Sequence, residues 1–385
     1  MHVYSMDAWL LYDFRGSNSI AWKILNMPQH SHCTRRWAIV IPRSGSPKKI
    51  VHAIEQHTLS HLAWDEIVYS ERSTWSDALR AALDGCSTVA MEYSPDCSIP
   101  VVSKVDAGTI ELIRGLDKTV VSSADIAQHF QAVWSELQFT DNLTTATLLR
   151  EAMMDAFDFL RQKCMKKAYV TEFDVQQNIV RFYQEHGLQS DSEPIVAIAK
   201  NASSPHYCPT PEINSPITIG DTVLIDMWAK SEMLGSTYAD ITWMAHCGTT
   251  VPERDALLFG IIRDARDAAL SIVRERFSSG IKLYGYEVDD AARAVITNAG
   301  FGEYFIHRTG HNIGEETHGA GANMDNYETH DTREILRGTS FSIEPGIYIP
   351  NDIGLRTELD VVIDSAGNVL VPSEPTQDAI VALLA

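Results

Sequence analysis

The chain has 385 residues, of which 45% are hydrophobic and 21% charged, enough to build a large core spread over two domains. A formal net charge of -20 argues against a nucleic-acid binder, whose affinity comes largely from neutralising phosphates with a basic face. Six cysteines (Cys33, Cys86, Cys97, Cys164, Cys208 and Cys247) include no CxxC pair, which excludes a disulfide framework and a zinc-thiolate site.

The opening stretch MHVYSMDAWLLYDFRG lacks a basic start followed by a long apolar run. No segment reaches the roughly 18 apolar residues of a membrane helix, so a cytoplasmic protein without a membrane partner is expected. There is no internal repeat and no low-complexity tract. In the first part AWLLYDF, RWAIVIP, EIVYS and STVAMEY predict strands, whereas LSHLAWDEI and WSDALRAALDG predict helices or helix ends, the second closing on Gly85. Strands alternating with helices predict a smaller α/β domain over residues 1–135.

From about Thr140 the texture changes. Leu149, Met153, Phe157, Leu160 and Met165 recur at the spacing of one helical face. Thr171 and Asp174 form a capping box opening a helix that ends by Gly187. Pro252 starts a helix running to about Phe277, and Val288–Asn298 gives another, stopped by Gly300. Strand-like runs lie between and after them: TVLIDMWA, YADITWMAHCG, FSIEPGIYI and LRTELDVVI. Helices with antiparallel-looking strands predict an α+β catalytic domain over residues 140–385.

Each of those four runs carries an acid in its middle: Asp226, Asp240, Glu344 and Glu358. A buried carboxylate is costly unless it is paired or metal-bound. One such acid is usually the polar face of a half-exposed strand; four, with the turn HRTGHNIGEETH supplying His307, His311 and His318, point to a cation centre. Carboxylate and imidazole donors suit Mn, Zn, Co or Fe(II). Alternation along a strand sets Arg356 and Asp360 beside Glu358, where Arg356 would hold that carboxylate in orientation. Gly310 and Gly314 would let the turn approach other backbone closely. His246, Trp228 and Trp243 read more simply as packed strand residues than as ligands or pocket walls.

The ordered set Asp226, Asp240, His311 in HRTGHNIG, Glu344 in SIEPG and Glu358 in LRTE resembles the M24 metallopeptidases, which have the pita-bread fold. The upstream LLYDFRGSNSIAW resembles the N-terminal domain of the aminopeptidase P, prolidase and creatinase branch. The resemblance implies that Asp226 chelates a first metal ion, that Asp240 and Glu358 bridge two ions, and that His311 and Glu344 complete the second. It also implies that Glu344 shuttles the proton, that His206 stands on the substrate side and His318 stabilises the tetrahedral intermediate, and that His307 lines the substrate pocket. An exposed structural histidine is the competing reading of His206, which sits in a Ser/Pro-rich loop.

There are departures from the family pattern. Asp226 and Asp240 stand fourteen apart, which predicts a longer hairpin; Asn312 follows the ligand histidine where Gly is common; Leu359 follows Glu358 where an acid is frequent. No ligand is lost, but the pocket flanks differ. The expected activity is a dinuclear metal-dependent peptidase acting on small peptides, at the Xaa-Pro bond, as a homodimer. A non-peptide amidohydrolase or lyase acting on a small nitrogenous or sulfonium metabolite is the alternative, and a non-catalytic binding module the remote one.

Overall fold

In the computed structural model, which describes residues 1, 4–28 and 33–385, the chain divides into a unit Met1–Gln131 and a unit Ala132–Ala385. The first contains β1 (Ala8–Phe14), α1 (Ser19–Ile24), β2 (Arg36–Pro42), β3 (Lys48–His52), β4 (Asp65–Tyr69), α2 (Arg72–Ala82), β5 (Thr88–Met91), α3 (Ala107–Arg114), β6 (Thr119–Ser122) and α4 (Ala124–Gln131). The strands form one mixed sheet in the order β4-β3-β2-β1-β5-β6. Alternation in β1 fills both faces: Leu10 and Tyr12 pack with Trp75, Leu79 and Ile110, whereas Trp9 and Leu11 pack with Ile20, Trp37 and Ala127.

The buried Glu92 ties the pieces of this unit together, accepting from Trp9 Nε1 (2.7 Å), Asn18 Nδ2 (2.7 Å) and Ser123 Oγ (2.9 Å). The helix expected from LSHLAWDEI does not form. Its start is the end of a 3₁₀ turn (Gln56–Leu59), and its end belongs to β4, which pairs in parallel with β3. A free sheet edge outweighs a helical pattern of nine residues, too short to be stable alone. The helix α2 forms as expected, and Gly85 follows it at φ +73°.

The second unit opens with α5 (Glu136–Met165) and α6 (Glu172–Glu185). The capping box of α6 is present, Asp174 N donating to Thr171 Oγ1 (3.1 Å) and Thr171 N to Asp174 Oδ2 (2.8 Å). Then come β7 (Leu188–Gln189), β8 (Ile195–Ile198), the one-turn α7 (Ala199–Ala202), β9 (Thr222–Ser231) and β10 (Ala239–His246). The helices α8 (Glu253–Ser279) and α9 (Gly285–Asn298) follow, and Gly280 closes α8 in the left-handed conformation. The remainder is β11 (Asn312–Ile313), β12 (Thr339–Ile343), β13 (Gly346–Ile349), β14 (Ile353–Arg356), β15 (Leu359–Ile363), β16 (Val369–Leu370) and β17 (Val381–Ala382).

One sheet runs β17-β10-β9-β7 with β8 also on β9, a second runs β11-β12-β15-β16, and β13 pairs with β14 alone. Val223, Ile225, Met227, Ile241 and Trp243 face α5 and α6 in one core. The intervening Leu224 and Met244 face a second core with α8, α9, Phe341 and Val361. Each fully buried Leu, Ile or Phe here contributes roughly 1.5–3 kcal/mol of transfer free energy. By alternation Asp226 and Asp240 share the face of Leu224 and Met244, inside the unit. This α+β arrangement agrees with the expectation. Among the described residues no helix is long and apolar enough to cross a membrane.

Candidate metal centre

Strands β9 and β10 are antiparallel neighbours, with Asp226 opposite Thr242 and Trp228 opposite Asp240. Cross-strand partners share a face, so these four side chains form one patch. The loop between the strands, residues 232–238, accounts for the wide spacing of the two aspartates. Glu344 and Glu358 depart from the expectation of acids within strands. Glu344 falls in the gap between β12 and β13, and Glu358 in the gap between β14 and β15. Pro345 has no N–H to continue a ladder, and Glu358 N leaves the β13–β14 hairpin to donate to Thr242 O (3.1 Å) on the other sheet.

His311 is carried to this patch by a close backbone approach. A Cβ on Gly310 would lie 1.9 Å from Ser342 O, so only glycine fits. The expectation that Gly314 serves the same purpose is not met: a Cβ there would have an ordinary 3.9 Å contact. Asn312 fixes the next turn, donating from Nδ2 to Ser340 O (2.8 Å) and accepting Gly321 N at Oδ1 (2.7 Å).

Donor atoms of Asp240, His311 and Glu358 lie within 4.8 Å of one another. His311 Nε2 is 3.5 Å from Glu344 Oε1 and 3.8 Å from Asp240 Oδ2. Its Nδ1 faces the carbonyl of Asn312 (3.2 Å), which can only accept, so Nδ1 holds the proton and Nε2 presents its lone pair to the acids. Asp226 joins through Thr242, whose hydroxyl is 2.9 Å from Asp226 Oδ1 and 2.6 Å from Glu358 Oε2. All five expected ligands therefore converge on one place.

The electrostatics suit a cation. Burial, then the neighbouring Glu358 and Asp226, push the Asp240 carboxyl well up. Burial and then Glu344 push Glu358 up, and burial raises Glu344 to about 7. Burial holds His311 neutral, with His318 and Arg308 adding to that effect. Asp240 Oδ1 is buried without a hydrogen-bond partner among the described residues. Clustered carboxylates, a neutral imidazole and an orphaned oxygen form a hard-cation donor set, and it fits the implied metal.

These side chains line a pocket of about 320 Å³ together with His206, His307, His318, Trp228, Arg308 and Arg356. His206 and His318 are exposed at its wall, and the His318 ring meets that of His311 edge-on at 4.4 Å. His307 lines the pocket with both ring nitrogens engaged: Nδ1 donates to Arg308 O (2.7 Å), and Nε2 accepts from Tyr348 OH (2.9 Å). Burial pushes its imidazole down to about 3.

Arg356 does not orient Glu358 as expected. Its Nη2 pairs with Asp226 Oδ2, its Nη1 donates to Tyr348 OH (3.0 Å), and its Nε to Thr242 Oγ1 (3.2 Å). Alternation fails because Glu358 lies beyond the end of β14, where the strand period no longer applies. Trp228 is half-buried, packing against the core and lining the pocket, whereas Trp243 is core. His246 is buried, with Nδ1 3.1 Å from Thr222 Oγ1, and stands outside the site. Thr242 and Tyr348 also belong to the site; Thr242, two residues after Asp240 on one strand, shares its face by alternation, whereas nothing in the sequence marks Tyr348.

The match to other proteins follows the same residues. The model of metallopeptidase family M24 matches residues 141–365, more than half of the chain. An uncharacterised peptidase of Schizosaccharomyces pombe is 34% identical over 213 residues, 54% of this chain and 44% of that protein. An Xaa-Pro dipeptidase of Lactobacillus delbrueckii subsp. lactis is 31% identical over 207 residues, 54% of this chain and 50% of that protein. The chain spans about half the length of these curated relatives. A dipeptidase from Mycobacterium ulcerans superposes with a TM-score of 0.68 at 22% identity, over 99% of this chain and 94% of that one. An Xaa-Pro dipeptidase from Bacillus anthracis does so at 0.61 and 20% identity, over 99% and 96%. Those likenesses show that the fold is shared along the whole chain, and the matched segment contains all five clustered residues: this chain belongs to metallopeptidase family M24.

Proposed function

We propose that the chain is a dinuclear metal-dependent peptidase that hydrolyses small peptides at the Xaa-Pro bond. The observation that carries this reading is the convergence of Asp240, His311 and Glu358 within 4.8 Å, inside a pocket that Asp226 and Glu344 also line. Those five residues would hold two divalent cations, Mn, Co, Zn or Fe. Such ions, when bound, supply Lewis acidity to a carbonyl and acidify water near neutral pH.

The chain's own groups do the rest. The Glu344 carboxylate takes a proton from the attacking water and returns it to the prolyl nitrogen as the bond breaks. His318, beside His311 at the pocket wall, donates to the oxygen that gains charge in the tetrahedral state. His206 contacts the substrate from the loop after α7, which Glu172 holds by accepting Ile198 N (2.9 Å), Tyr207 OH (2.6 Å) and Ser215 N (2.7 Å). His307, with both nitrogens occupied, shapes the wall rather than bonding substrate. The Xaa-Pro dipeptidase relatives support the substrate class. The proposal extends to a homodimer working in the cytoplasm and to a creatinase-type role for residues 1–135, for which the family resemblance is the support.

The test is hydrolysis of Xaa-Pro and Xaa-Pro-Yaa peptides by metal-stripped protein resupplied with Mn, Co or Zn. Metal-dependent release of the N-terminal residue is expected. Silence across the panel with metal bound would overturn the peptidase reading and favour a small-metabolite substrate.

A further inference from the structure

Besides the clustered carboxylates, two acids line the pocket, Asp191 and Glu328. Glu328 is engaged by the main chain, its Oε1 accepting Arg308 N at 3.3 Å. Asp191 is exposed, and its Oδ1 accepts from Trp228 Nε1 (3.0 Å) and Ser192 Oγ (3.2 Å). Its Oδ2 accepts no hydrogen bond from any described residue, and no described cation pairs with it. Lys230, two residues beyond Trp228 on β9, donates instead to Glu315 O (2.6 Å) and lies over the Tyr238 ring.

Trp228 decides where that open oxygen stands. It is the cross-strand partner of Asp240, so its side chain starts beside the clustered acids, and its Nε1 ends at Asp191. The Asp191 carboxylate is thus set off from the cluster by the span of one indole. Ile195, Pro205 and Ser192 line the pocket with it. A half-buried indole leading to a carboxylate with a spare acceptor suits a long cationic side chain. The aliphatic stem covers apolar wall, the cation gains attraction from the aromatic ring, and the carboxylate receives the charged head.

We propose that Asp191, with the Trp228 indole, selects substrates whose N-terminal residue carries a basic side chain, lysine or arginine. The inference rests on the peptidase reading above and narrows its substrate class. Asp191 repels the C-terminal carboxylate of a small peptide, so the N-terminal end of the substrate is the one that meets it. In an Xaa-Pro dipeptide the N-terminal residue holds the only variable side chain. The α-ammonium lies beside the scissile carbonyl, too close to the cluster to reach past an indole. A lysine or arginine side chain is long enough to do so.

The experiment measures kcat/KM of the metal-reconstituted protein for Lys-Pro, Arg-Pro, norleucine-Pro and Gln-Pro, in the wild type and in Asp191→Asn. The α-ammonium and the proline are common to all four, so the ratios isolate the side chain. Asparagine keeps an acceptor for Trp228 and Ser192 and removes the charge. The wild type should favour Lys-Pro over norleucine-Pro by roughly tenfold, and the preference should collapse in the variant and at high salt. No preference in the wild type, or one that survives in Asp191→Asn, would overturn the proposal. So would an equal loss on all four peptides, which would put Asp191 at the α-ammonium instead. In parallel, calorimetry follows binding of lysinamide and norleucinamide to both proteins. If the wild type cleaves none of the peptides, the peptidase reading fails separately; tighter binding of lysinamide that Asp191→Asn abolishes would still support the cation subsite, and equal or absent binding would overturn it.

Discussion

Arg356 is ion-paired with Asp226, and the same guanidinium reaches Tyr348, whose hydroxyl donates in turn to His307. The Asp226 carboxylate, one of the five proposed ligands, is thus tied through one planar group to the wall of the pocket. Replacing Arg356 by Met should leave the ligands in place but unsupported, weakening metal binding by roughly 10–100-fold. Lys should recover part of the loss, since an ammonium cannot serve three partners in fixed directions. Competition against a chelator at fixed pH measures this, and wild-type affinity in the Met variant would contradict the assigned role.

Gly310→Ala should be among the most damaging small substitutions. Its Cβ would sit 1.9 Å from Ser342 O, so the turn must move away from β12 and take His311 with it. A loss of roughly 1–3 kcal/mol is expected, read as a lower unfolding midpoint. Gly314→Ala, with its 3.9 Å contact, serves as the control and should change stability little.

The first unit offers a pH test away from the candidate metal centre. Burial raises the Glu92 carboxyl above its ordinary value of 4.5, against the opposing pull of Asn18, Trp9 and Ser123. The folded state therefore holds this proton more tightly than the unfolded chain. The native state binds more protons, so this group's contribution to stability falls as pH rises above 4.5 toward the raised folded value. Glu92→Gln removes the titration and sets an amide donor against existing donors, costing roughly 1–3 kcal/mol. Urea unfolding at several pH values should show a lower but flatter stability profile in the variant; an unchanged slope would contradict the account.

How legible the molecule was depended on how local each cause is. AWLLYDF announces a strand because its own alternation fills two cores, and Thr171 and Asp174 announce a helix start because the cap lies within four residues. The two-residue strands β7, β11, β16 and β17 carry no pattern and exist because longer neighbours offer them hydrogen bonds. Of the site, the acids stood out as anomalies in apolar runs, but their meeting with His311 was supplied by resemblance. Arg356 meets Asp226 rather than Glu358 because strand alternation stops at the end of β14. Arg308 and Tyr348 look ordinary in sequence; only the turn held by Asp289 and the hairpin β13–β14 put them in the pocket.

The most direct test of the central claim is metal content after reconstitution and desalting, measured by mass spectrometry on the wild type, Asp240→Ala and His206→Ala. The account predicts two divalent ions per chain in the wild type and in His206→Ala, with turnover lowered in the latter. It predicts loss of metal and activity together in Asp240→Ala, since that carboxylate is one of the three groups whose donor atoms lie within 4.8 Å of one another. Two retained ions and a near-normal rate in Asp240→Ala would contradict it.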